Sequence, residues 1–152
     1  MPGQHAIVPA AMLAPIRNDI SATTLVGLDG LVALRTDWLR LEAASSSPTF
    51  FQSFDWCRYI ARRRAEVAGA APPEPRTIVV RDATSIVAIW PLALTSGITG
   101  RYAGDLTEPY GQYSEILLAS DSDVAAIRQA GKYLEIAQAL NVCRRRPPEP
   151  LK

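Results

Sequence analysis

Between Gly30 and about Ala44 apolar residues recur at steps of three and four: Leu31, Leu34, Trp38 and Leu41 form one stripe, with Arg35, Asp37, Arg40 and Glu42 off it. That period predicts an amphipathic helix, with Asp29 as its N-cap. The β-branched run Ile20–Val26 before it predicts a first strand. Ser45–Pro48 stops the helix, since small polar residues and a proline do not continue one. Thr49–Ser53 is expected to be extended, and Ser53 or Asp55 to cap a second helix reaching about Val67. Ala68–Pro75 reads as a linker.

Past the linker the period changes from four to two. Arg76–Asp82 and Ile86–Leu94 are apolar, β-branched runs separated by Ala83, Thr84 and Ser85, which predicts a hairpin. Pro91 marks a bulge or an edge, because proline donates nothing to a strand ladder. Ile98–Ala103 is a candidate third strand, Asp105–Ser114 a loop and Glu115–Leu118 a short strand. Ser120 or Asp121 caps a predicted helix from about Ser122 to Leu140, with Val124, Ile127, Tyr133 or Leu134, and Ala137 on its face. The order implies an α+β domain over residues 20–141, a mostly antiparallel sheet flanked by about three helices. The stretch 1–19, broken by Pro2, Pro9 and Pro15, reads as a disordered leader rather than a signal peptide, and 142–152 as a disordered tail.

Composition narrows the class. The chain of 152 residues is 48% hydrophobic and 20% charged, enough apolar content for one packed core. No apolar run is long enough to span a bilayer, and a net charge of +1 predicts no general affinity for nucleic acid or anionic membranes. Cys57 and Cys143 are too few for a disulfide framework, in keeping with a cytoplasmic chain.

Candidate chemistry is sparse. His5 is the only histidine and lies in the leader, so neither a histidine triad nor a histidine-rich metal site is expected. Cys57 falls on an apolar helix face, which suits a core residue better than a nucleophile. Arg58, Arg62, Arg63 and Arg64 give the second helix a basic face that can bind a phosphate or an acidic glycan, or simply face solvent.

One combination points to a family. Trp38 in the first helix, Ser46–Ser53 with Trp56 (S-x-x-x-FFQS-x-x-W), the hairpin ending Ile86–Leu92 (IVAI-x-PL) and a loop from Gly104 to Leu117 holding Tyr113 occur in that order. The chain resembles the N-terminal part of the CelD-type acetyltransferases, a GNAT-like family linked to cellulose and exopolysaccharide biosynthesis and related to the FemAB transferases. The resemblance implies a GNAT-like lobe, with acyl groups passed from acyl-CoA to an amine or hydroxyl of a small-molecule or glycan acceptor. Acetyl-CoA or another acyl-CoA would be a co-substrate rather than a tightly bound cofactor. It also implies that the acyl-CoA belongs to a second lobe, supplied by a homodimer partner or missing from this chain. The nearest approach to a pyrophosphate-binding loop, Arg128–Tyr133, has Tyr133 where a small residue is wanted. A general base and acid would come from the polar loop, where Glu108, Tyr110, Tyr113 and Glu115 are candidates and Glu115 and Tyr113 the leading pair. Gln52, Ser53, Trp56 and Tyr110 are the candidate acceptor-binding residues. The same aromatic residues can equally serve as a core between helix and sheet. A non-catalytic interaction domain or an inactive fragment is the alternative.

Overall fold

The computed structural model describes residues 20–67, 72–98, 100–108, 110 and 116–119. Five strands and three helices follow in the order β1 (Ser21–Val26), α1 (Gly27–Ala33), α2 (Arg35–Ala44), a 3-10 turn (Phe50–Gln52), α3 (Phe54–Glu66), β2 (Glu74–Arg81), β3 (Ile86–Gly97), β4 (Gly100–Asp105) and β5 (Leu117–Leu118). The sheet is antiparallel throughout, ordered β1-β2-β3, with β4 and β5 both pairing with β3. This is the α+β architecture that the sequence order implies. Among the described residues no helix is long and apolar enough to cross a membrane.

The expected stripe of the first helical region holds: Leu31, Leu34, Trp38 and Leu41 are all buried. The region is nevertheless two helices. Leu34 closes α1 by donating its N–H to the Leu31 carbonyl (3.1 Å), and its own carbonyl accepts from Trp38 (2.8 Å). Asp29 is not the cap, because the helix begins two residues before it, directly from the strand. Gly27, at φ 76, makes that turn, and Gly30 lets α1 lie on the end of β1, where an added Cβ would sit 3.1 Å from Leu25 Cβ. Asp29 instead places its charge in the first turn, where the helix dipole favours an anion.

Two further expectations are corrected. Thr49–Ser53 is not extended: Gln52 and Ser53 donate back to the carbonyls of Thr49 and Phe50, closing a 3-10 turn. The third strand starts at Gly100, with φ 126 and opposite Gly97, rather than at Ile98, and runs to Asp105. Ser53 does cap α3, its Oγ accepting from the Trp56 N–H at 3.3 Å.

Pro91 sits where β3 changes neighbours. On one side β3 pairs with β2 along its length; on the other it pairs with β5 at Ala88 and Ile89 and with β4 from Leu92 onward. The Pro91 carbonyl accepts from Leu106 N–H on that divided side. A strand residue points its N and its O the same way, so the missing N–H falls in the gap between β4 and β5 and leaves no ladder bond unmade.

The main core lies between the helices and one sheet face: Leu31, Leu34, Trp38, Leu41, Phe54, Cys57 and Ala61 against Val79, Ile89, Ala93, Leu106 and Leu117. Ala22, Val80 and Ala88 form a separate cluster on the opposite face.

Candidate functional site

The segment linking α2 to α3 is built from hydrogen bonds that close on themselves. Trp38 Nε1 donates to the Gln52 carbonyl at 2.9 Å. Gln52 Oε1 accepts from Thr49 N–H at 3.0 Å, which fixes the 3-10 turn. The Glu42 carboxylate accepts from Phe54 N–H, and Cys57 Sγ donates to the Phe51 carbonyl at 3.5 Å. Gln52 is buried, so its oxygen serves the turn, and the Ser53 hydroxyl serves the helix cap. These two candidate acceptor-binding residues hold α3 in place.

The other two candidates come together. Trp56 and Tyr110 line one groove of about 400 Å³ with Tyr59, Ile60, Arg63, Arg64 and Val67. Trp56, Ile60, Arg64 and Val67 recur at helical spacing, so one side of α3 supplies most of the wall. Arg64 Nη1 donates to the buried Leu106 carbonyl at 2.9 Å, tying α3 to the turn that follows β4. That turn is rigid in its own right. Asp105 Oδ1 accepts from Thr107 N–H at 2.7 Å and from its hydroxyl, and Tyr110 N–H donates to the Thr107 carbonyl at 2.7 Å.

Aromatic rings continue along the outside of α3. Phe50 and Trp56 have centroids 5.0 Å apart, and Trp56 and Tyr59 6.0 Å apart with planes at 31°. Phe50, Tyr59 and Tyr110 are exposed, and the Trp56 indole N–H is shielded and has no hydrogen-bond partner among the described residues. A second groove of about 370 Å³, sharing Tyr59 and Arg63 with the first, is lined by Asp55, Arg58, Tyr59, Arg62, Arg63 and Glu66. There Arg63 pairs with Glu66 at 3.1 Å in solvent, a contact worth little.

Tyrosine and tryptophan offer ring faces and N–H or O–H donors, and arginine offers an anion fork. No Asp, Glu, His, Ser or Cys is among the described residues lining the larger groove. Cys57 is buried, and that burial, with Asp105 and Glu42 adding negative potential, pushes its thiol pKa well up. The start of α3 already receives the Glu42 carboxylate and the Ser53 hydroxyl, so a pyrophosphate would have to displace an anion there. Among the described residues no group of three His, Cys, Asp or Glu is placed to hold a metal ion. Glu115, Tyr113, His5, Cys143 and Arg128–Tyr133 lie outside the described residues.

Sequence reasoning missed Arg64 as a tie and Glu42 as a cap. Arg64 had a local signal, its spacing from Trp56 and Ile60; its acceptor is 42 residues away and had none. No family model, curated protein or solved structure matches the chain.

Proposed function

We propose that the chain is the acceptor-side lobe of a GNAT-like acyltransferase, holding an amine- or hydroxyl-bearing acceptor while the acyl-CoA is bound elsewhere. The observation that carries this reading is the convergence of Trp56 and Tyr110, with Arg63 and Arg64, on one groove. Aromatic walls with an arginine fork suit a sugar-like ring bearing an anionic group. The start of α3, filled by Glu42 and Ser53, supports placing the acyl-CoA outside the described residues.

Isothermal titration of the folded chain with acetyl-CoA tests the division of labour. No binding at millimolar acetyl-CoA is the expected result. A Kd below ~100 μM, about 5.5 kcal/mol, would overturn it, since the chain would then hold an acyl-CoA site of its own.

A second reading, a non-catalytic lobe that adds a strand from another chain, is favoured by β1 standing at the end of the strand order among the described residues. Concentration-dependent dimerisation in analytical ultracentrifugation, abolished by Thr23→Pro, would support it over the first.

A further inference from the structure

Helix α3 carries Arg58, Arg62, Arg63 and Arg64, and the helix itself favours a cation at only two of them. Arg63 and Arg64 stand in the last turn, at the negative end of the helix dipole. Arg58 and Arg62 precede that turn and lie four residues apart, a like-charge pair on one face that works against the helix. Neither forms an ion pair or a hydrogen bond among the described residues. Glu66, four residues beyond Arg62, pairs with Arg63 at 3.1 Å instead. Asp55 is the other carboxylate lining the same groove of about 370 Å³, so arginines outnumber acids there.

This groove is continuous with the one that holds Trp56. Tyr59 and Arg63, four residues apart, line both and form the row between them. The grooves lie on the two flanks of that row, about a quarter turn apart on a helix ~10–12 Å across, which sets their centres on the order of 10 Å apart. A single sugar ring stacked on Trp56 does not bridge that gap; a chain of rings crossing the row does. Tyr59 is exposed and inclined only 31° to Trp56, so it offers a second ring face along the path. Resting on the reading of the first groove as the acceptor site, we propose that the acceptor is an acidic oligosaccharide. One unit lies against Trp56, the chain passes over Tyr59, and the anionic group of a following unit is held by Arg58 and Arg62. Their planar forks suit a carboxylate or phosphate oxygen pair. An acidic peptide would match the charge but bring no ring to the Trp56 and Tyr59 faces.

A length series tests this in the full chain. Isothermal titration compares galacturonic acid with trigalacturonate, with neutral cellotriose and with a blocked triglutamate of the same charge. Trigalacturonate is expected to bind about tenfold or more tighter than the monomer, because the second contact is made within one ligand. Cellotriose and triglutamate should show no such gain. Replacing Arg58 and Arg62 together by Ala should remove most of the difference between trimer and monomer. The difference itself is measured in the unsubstituted chain, so it stands whether or not the variant folds. A monomer that binds as tightly as the trimer would overturn the extension and leave the first groove as the acceptor site, whereas no binding by either would overturn both. Triglutamate binding as tightly as trigalacturonate would overturn it in favour of an acidic peptide. Trigalacturonate binding that Trp56→Ala leaves unchanged would do so as well, since the ligand would then occupy the second groove alone.

Discussion

Trp38 and Gln52 meet inside the core, where the indole N–H of α2 is satisfied by a main-chain carbonyl of the 3-10 turn fourteen residues on. The bond does two things at once: it lets a large aromatic side chain be fully buried, and it sets the turn from which α3 starts. Trp38→Phe keeps a ring but strands the Gln52 carbonyl and opens a void. We expect a loss of about 2–3 kcal/mol in urea unfolding. A loss below about 0.5 kcal/mol would mean that water or a shifted turn replaces the bond.

How far the sequence reached follows from which of these contacts are local. The Leu31–Leu34–Trp38–Leu41 stripe, the Ser53 cap and the β2–β3 hairpin depend on neighbours within a few residues, and all are present as expected. Asp29 looked like a cap because its residue type is right; the strand instead turns straight into the helix at Gly27, whose φ of 76 no apolar pattern reveals. Thr49–Ser53 was expected to be extended, yet Gln52 Oε1 folds back to accept from Thr49 N–H. Trp56 on the second helix and Tyr110 in the loop were both legible as candidate acceptor-binding residues. Their shared groove was not, since it depends on Arg64 reaching Leu106.

The β2–β3 hairpin carries a pH-dependent clasp. Asp82 Oδ1 accepts from the N–H groups of Thr84 (2.9 Å) and Ser85 (2.8 Å) and from both hydroxyls. Those backbone bonds, the hydroxyls adding, hold its carboxyl below the ordinary value of 3.8. A depressed folded pKa means that the ionised form is favoured by folding, so its contribution is complete above the unfolded value and fades as pH falls below it. Asp82→Ala is therefore expected to lower the urea midpoint at pH 7, with the gap to the unsubstituted chain closing below about pH 3.8. A gap that persists unchanged at pH 2 would assign the effect to something other than the carboxylate.

Cys57 is expected to be inert. Its thiol is buried, donates to the Phe51 carbonyl and has a raised pKa, so little thiolate exists at neutral pH. In the Cys143→Ser chain, a disulfide-exchange reagent at pH 8 should modify Cys57 only at the rate of unfolding, and fully in 6 M guanidinium. Rapid modification of the folded protein would place the thiol at an accessible, reactive position and overturn its reading as a core residue.

The groove on α3 makes the most direct prediction about function. On the proposed reading, glucosamine 6-phosphate is a suitable probe: it combines an amine, hydroxyls, a ring face and an anion, and Trp56, Tyr59, Tyr110, Arg63 and Arg64 line the groove. Binding should shift the Trp56 indole N–H resonance, because the Trp56 ring lines the groove. Trp56→Ala removes the central ring of the Phe50–Trp56–Tyr59 strip. An aromatic contact worth about 1.4 kcal/mol then corresponds to roughly tenfold weaker binding. Arg62→Ala, outside the larger groove, should leave the affinity within twofold. Equal losses for Trp56→Ala and Arg62→Ala would point to diffuse attraction by the arginine face, because a ring-stacking site distinguishes the two and a cloud of positive charge does not.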